Sequence, residues 1–123
     1  DSDLLALLDA CAQGKLDEVE YQTSKNTSVT VMLVSGGYPE DYKKGMLMTG
    51  LENLSEDCII AHAGTKMNDD GEIVTSGGRV IAVTAHGKDI EEARAKAYDN
   101  VEKIKFTGVN YRHDIGLDLM NLV

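Results

Sequence analysis

The sequence predicts an α+β fold in which an antiparallel β meander or small barrel-like sheet is capped by a long helix. Three observations predict it. Residues 58–87 alternate short apolar runs with glycine- and asparagine-rich breaks, the pattern of strands joined by tight turns. Ser28–Ser35 is β-branched and almost wholly apolar. After Asp89, the residues Ile90, Ala93, Ala97, Val101 and Ile104 recur at spacings of 3, 4, 4 and 3, which is helical. A chain of 123 residues has the length of one domain, enough to bury roughly two thirds of its unfolded surface without disulfides or metals.

Taken in order, residues 2–13 read as a helix with Ser2 as N-cap, Leu4, Leu7, Leu8 and Cys11 along one face, and Gly14 closing it. So leucine-rich a helix needs a surface to pack on, and it is read as a connecting helix. Residues 15–27 are polar and irregular, a surface linker or a short edge strand around Val19–Tyr21. Ser28–Ser35 is expected to be the first central strand, covered on both faces. Gly36 and Gly37 allow positive φ, and Pro39, the sole proline, sets the bend that follows. Residues 40–57 read mostly as loop, with a short strand at Met46–Met48 and Gly50 as punctuation.

Cys58–His62 is a second buried-strand run, continued by Gly64–Met67 into the turn cluster Asn68, Asp69, Asp70 and Gly71. Glu72–Thr75 returns antiparallel, Ser76–Gly78 breaks the strand, and Arg79–Ala85 supplies the next apolar run. Asp89 is the N-cap of the long helix, with Glu92 in the capping-box position. Leu117–Leu122 carries a weak helical signal.

The formal net charge of −9 argues against nucleic-acid and anionic-membrane partners, both of which are bound chiefly through phosphate neutralisation by lysine and arginine. Cys11 and Cys58 have neither CxxC nor CxxH spacing and are expected to be reduced, buried thiols of a cytoplasmic protein. The chain begins at Asp1, without an initiator methionine, and is read as part of a longer polypeptide. Asn68–Gly71 lacks the remaining ligand spacing of a calcium loop and is expected to be a plain turn. His86 and His113 are expected to be hydrogen-bonded structural residues, and His62 is left open. Ser35 is expected to serve turn chemistry, since no base accompanies it as a nucleophile would require.

Two cations stand out. Lys66 is the only formal charge in residues 58–68, and Arg79 the only one in residues 73–87. Each sits at a strand end beside glycine, where exposed N–H groups form a nest that lysine and arginine can complete around an anion. On an acidic surface the same cations can instead be solvated or loosely paired with carboxylates. Both readings stay open on spacing alone. If the first holds, the two cationic ends should point to one face of the domain. Arg112, Lys43 and Lys44 are further candidates that spacing does not rank.

Four motifs in register carry a resemblance: SGGYP at 35–39, HAGTK at 62–66, TSGGRV at 75–80 and RHDIG at 112–116. In this order the chain resembles the C-terminal domain of the glycinamide ribonucleotide synthetase (phosphoribosylamine-glycine ligase) family of the ATP-grasp superfamily. The resemblance implies a fold of the rudiment single hybrid type. Residues 1–20 would be the connecting helix leaving the ATP-grasp domain, and residues 21–123 the C-terminal substrate-binding domain. It also implies a cytoplasmic enzyme that joins glycine to 5-phosphoribosylamine in purine synthesis with ATP and Mg2+, through an acyl phosphate.

In that family the nucleotide and metal belong to the upstream ATP-grasp domain, so this chain is expected to bind neither and to be inactive alone. Carried over by motif, Lys66, Arg79, Gly77 and Gly78 are the expected substrate-binding residues, with catalytic residues and metal ligands outside the chain. Asp114 is expected to orient backbone or Arg112. The rival reading is a free-standing anion-binding or protein-interaction module with the same fold and no catalysis.

Overall fold

The computed structural model describes residues 1–120. Its elements run α1 (Leu4–Ala12), β1 (Thr27–Val34), β2 (Ile59–His62), β3 (Thr65–Met67), β4 (Ile73–Thr75), β5 (Arg79–Gly87) and α2 (Ile90–Val101), with short 3-10 turns at Leu16–Glu18 and Leu51–Asn53. The α+β class, the antiparallel pairing and the capping helix are as expected. Strand order in the larger sheet is β1-β5-β2, and β3 pairs with β4 in a second, two-stranded sheet.

The returns between residues 59 and 87 form one bent ribbon. Its outer rungs are β2 on β5, and its inner rungs are β3 on β4. Val80 O accepts from the N–H groups of both Ala63 and Gly64, at 3.0 and 2.9 Å, where the ribbon kinks. At the tip, Asn68 Oδ1 accepts from Asp70 N and Glu72 N at 3.1 and 2.8 Å, so the cluster is a turn held by an asparagine, as predicted.

The core lies between the β1–β5 pair and α2. Val29, Val31 and Leu33 face Ala85, Val83 and Ile81 in register, and all six are buried beneath Ala93, Ala97 and Val101. Alanine at 93 and 97 lets the helix lie close to the strands. Asp89 caps α2 by accepting from Glu92 N at 2.8 Å. The Glu92 carboxylate reaches past the cap to Lys88 N at 3.0 Å, and this bond, with Lys96 beside it, holds its pKa below the ordinary value.

Two strand expectations are corrected. β1 is an edge strand with one buried face, not a central one: Ser28 and Thr30 stay exposed, and Thr30 Oγ1 meets Thr84 Oγ1 at 2.8 Å on the outer face. The central, doubly covered strand is β5, in which Val80–Val83 are all buried. β2 is the opposite edge, not a buried strand; Ile59 is 55% exposed because α2 covers the other side of the sheet. Met46–Met48 does pair as a short strand segment, with Met48 N donating to Ile73 O at 2.8 Å and Thr75 N to Met46 O at 2.9 Å.

The N-terminal helix is capped by Asp3, whose Oδ1 accepts from Leu5 N and Ala6 N, not by Ser2, whose Oγ accepts from Gln22 N at 2.7 Å. Both residues are good N-caps, and the fold selects the one left free by that tether. Within α1 only Ala10 is buried, while Leu4, Leu5 and Leu8 are 67%, 75% and 58% exposed. Cys11 is likewise exposed, contrary to expectation, because none of the described residues covers this helix face. Cys58 is half-buried and donates its thiol to Thr84 O at 3.2 Å; burial pushes its pKa up.

Val19–Tyr21 forms no strand. Residues 115–120 form turns, with Leu117 N bonded to Asp114 O and Leu119 N to Gly116 O. Asn121 and Leu122, the end of the expected helical signal, lie outside the described residues. Among the described residues no helix is long and apolar enough to cross a membrane.

Candidate functional site

Four glycine-bearing segments meet at the kinked end of the ribbon. The 35–39 turn follows β1, Gly64 lies in the kink between β2 and β3, Gly77 and Gly78 join β4 to β5, and Gly108 comes from the chain after α2. Their approach is backbone on backbone. A methyl group at Gly64 would lie 2.8 Å from Gly77 Cα and 2.9 Å from Gly77 N, and one at Gly36 would lie 2.8 Å from Gly108 O. Any side chain at these positions would push the segments apart, so glycine is required by proximity.

Ser35 is the hinge of the assembly. It is 4% exposed, its Oγ donates to Gly77 O at 2.9 Å, and its N–H donates to Gly78 O at 2.8 Å. Tyr38 and Tyr42 then pack against Gly78, which has no Cβ to exclude them, with ring centroids 6.1 Å apart and planes at 60°. Tyr42 also borders a pocket of about 380 Å³ lined by Gly36, Asp41, Lys43 and Gly108. The Lys44 ammonium lies 5.9 Å from the Tyr42 ring.

Lys66 is exposed on β3 opposite Val74, and Arg79 is exposed at the start of β5 opposite Val34. Each stands within two residues of the Gly64–Gly77 contact, so the turns that carry the two cations are joined directly. Among the described residues neither takes part in an ion pair. His62 Nδ1 is 2.9 Å from Thr65 Oγ1, a contact within its own kink. Among the described residues no three of His, Cys, Asp and Glu stand together in a way that could hold a metal ion.

The RHDIG segment is anchored to α2 instead of entering this cluster. Arg94 Nε and Nη2 donate to Ile115 O and His113 O at 3.0 and 2.6 Å, with the guanidinium 4.6 Å over the Tyr98 ring. The Tyr98 hydroxyl donates to Arg112 O at 2.6 Å and accepts from Ile115 N at 3.2 Å. Arg112 forms a bidentate pair with Asp114, at 2.9 and 2.7 Å, which raises the pKa of the arginine and lowers that of the aspartate. Asp114 therefore orients Arg112, as expected.

His113 is exposed, its ring 4.6 Å from that of Tyr111. His86 is also exposed and, against expectation, makes no side-chain hydrogen bond among the described residues, because its position alternates outward from the buried face of β5. Arg94 and Tyr98, spaced i, i+4 on one helix face, are the anchors that motif reading missed; their spacing is the signal that could have found them.

Tyr98→Phe is expected to lower stability by about 1–2 kcal/mol, because the Ile115 N–H loses its acceptor and the Arg112 carbonyl its donor. Hydrogen exchange should show loss of protection at Ile115 while β5 amides keep theirs. Equal loss in both places would mean that the hydroxyl supports the whole domain.

Residues 28–118 match the family described as phosphoribosylglycinamide synthetase, C domain. The chain is 42% identical over 120 residues to the phosphoribosylamine–glycine ligase of Neisseria meningitidis serogroup B, covering 98% of this chain and 28% of that protein. It is 42% identical over 119 residues to the chloroplastic phosphoribosylamine–glycine ligase of Arabidopsis thaliana, covering 94% and 22%. The crystal structure of the phosphoribosylamine–glycine ligase from Thermotoga maritima superimposes with a TM-score of 0.71 at 34% identity, over 88% of this chain and 27% of that one. The chain thus spans about a quarter of the length of the relatives it matches. The family match runs from Ser28 in β1 to Asp118, so it takes in the glycine cluster, both cation-bearing turns and the anchored RHDIG segment. The chain belongs to the phosphoribosylglycinamide synthetase C-domain family.

Proposed function

We propose that this chain is the C-terminal domain of the ATP-dependent ligase that joins glycine to 5-phosphoribosylamine in purine biosynthesis, and that it binds the phosphoribosyl part of that substrate and closes one side of the active site. The carrying observation is the direct contact of Gly64 with Gly77, which sets the Lys66 and Arg79 turns side by side. A phosphate monoester bears up to two charges, takes paired hydrogen bonds from a guanidinium and gains from an added point charge, the chemistry that Arg79 and Lys66 offer. Gly77 and Gly78 let the phosphate approach the backbone.

ATP and Mg2+ are assigned to an ATP-grasp domain preceding this chain, and no step through either is assigned to the residues described here. Residues 1–20 form the connection to that domain and residues 21–123 the substrate-binding unit, with the exposed Leu4, Leu5 and Leu8 of α1 facing the preceding domain. The ligase is placed in the cytoplasm, and the isolated chain is expected to be inactive. Its partners are phosphoribosylamine, glycine and the rest of its own polypeptide; neither nucleic acid nor a membrane is among them.

Arg79→Ala in the ligase that carries this domain should raise KM for phosphoribosylamine by roughly 30-fold while leaving KM for ATP within about twofold, the signature of a lost ground-state and transition-state contact to one substrate. An equal rise for both substrates would remove the phosphate assignment and leave a general defect of folding or closure. The mass of the native gene product gives an independent check, since a product no larger than this domain favours a free-standing anion-binding module.

A further inference from the structure

We propose that Ser35 is a positioning residue for the phosphate site: its buried hydroxyl holds the Gly77–Arg79 turn so that the Gly78 amide is presented to the substrate. The inference rests on the phosphoribosyl-binding reading above. Ser35 grips two successive carbonyls of the turn, Gly77 O through its Oγ at 2.9 Å and Gly78 O through its N–H at 2.8 Å. In a trans peptide the N–H points opposite to the C=O, and the peptide bonds of this turn are trans. Fixing the Gly77 carbonyl toward Ser35 therefore aims the Gly78 N–H away from it.

Among the described residues neither the Gly77 N–H nor the Gly78 N–H donates a hydrogen bond, although Gly78 is buried. A buried amide without a partner is uncommon, because it costs the free energy of a lost hydrogen bond, and a ligand oxygen is a fitting acceptor. The next peptide along, Gly78–Arg79, is held through the Gly78 carbonyl in the same way. This orients the start of β5, from which the guanidinium projects. The hydroxyl of Ser35 has a carbonyl as partner and no base beside it, so it acts on the substrate only through the turn.

The test is steady-state kinetics of the ligase carrying this domain, with Ser35→Ala, Arg79→Ala and the parent protein compared for KM of phosphoribosylamine, KM of ATP and kcat, and with Tm measured for each. Ser35→Ala is expected to raise KM for phosphoribosylamine about tenfold, with KM for ATP and kcat within about twofold. If Arg79→Ala raises that KM and folded Ser35→Ala does not, the positioning role is wrong and the phosphate site stands. If neither variant raises it, the phosphate site itself is wrong and the role of Ser35 falls with it. A parallel change in all three constants also overturns the proposal, since a merely structural residue would cause that. Should Ser35→Ala fail to fold, Ser35→Cys, nearly equal in size and a weak donor, is read by the same criteria.

Discussion

Gly50→Ala is expected to lower Tm by about 10–20 °C, the fall that corresponds to a loss of roughly 3–4 kcal/mol in a domain of this length. Two costs add at this residue. Its φ is +91°, in the left-handed region that an alanine enters only at a cost of about 1–2 kcal/mol. The new methyl would also be driven onto the Lys103 carbonyl oxygen, with the Lys103 carbonyl carbon 2.8 Å away. Neither atom can swing aside, because both belong to the backbone just after α2. On either side the chain is pinned: Thr49 N donates to Lys105 O at 2.9 Å and Lys105 N to Thr49 O at 3.0 Å. Relief requires the 49–105 bridge to open or the C-terminal end of α2 to shift, and overpacking of this kind costs roughly 1–3 kcal/mol. Gly45→Ala separates the two costs. Gly45 has φ +80° with open space around it, so it should show the conformational cost alone, about 1 kcal/mol. Similar falls for both variants, measured by thermal unfolding, would mean that the Lys103 contact relaxes freely.

How far the sequence was legible depends on whether local pattern and tertiary position agree at each element. They agree in α2, where a cap at Asp89 and small apolar residues every third or fourth position describe a helix pressed onto a sheet. They agree at the 68–71 turn, where an asparagine side chain closes its own loop. They part at β1 and β2. An apolar run shows that a strand can be buried, but which strand lies in the middle is decided by pairing partners distant in sequence. Val80–Val83 won that place because β1 and β2 both pair with β5. The alternation of Ser28 and Thr30 with Val29 and Val31 already carried the edge character of β1.

Motif reading named Lys66, Arg79, Gly77 and Gly78 as the residues of the proposed site, and the structure adds the reason their turns come together. The residue that holds the Gly77–Arg79 turn, Ser35, was legible as turn chemistry. Its partners lie 42 and 43 positions away, and no local pattern discloses a contact of that range. The anchoring of Arg112 to Ile115 by Arg94 and Tyr98 is of the same kind, with a helix spacing as its local trace.

Gly64→Ala is expected to destabilise the domain by about 3 kcal/mol and, under the function proposed above, to raise KM for phosphoribosylamine in the ligase carrying this domain more than Arg79→Ala does. Gly64 does not have positive φ, so the cost is wholly steric. Its methyl would meet the Arg79 carbonyl oxygen and Gly77 Cα and N together, all of them backbone. The hydrogen bonds that hold the kink, Gly64 N to Val80 O at 2.9 Å and Ser76 N to Gly64 O at 2.8 Å, tie the residue on both sides, so it cannot retreat. What moves is the 77–79 turn, carrying Arg79 away from Lys66 and pulling on the Ser35 hydroxyl. A neighbouring substitution isolates this effect. A methyl at Gly77 views the same contact from the other side but meets Gly64 Cα at 3.1 Å, which a shift of a few tenths of an ångström relieves. Gly77→Ala should therefore cost about 1–2 kcal/mol less than Gly64→Ala and disturb KM less. Equal effects of the two, or a Gly64→Ala ligase with unchanged KM for phosphoribosylamine, would show that the closeness of these turns does not set the affinity of the site.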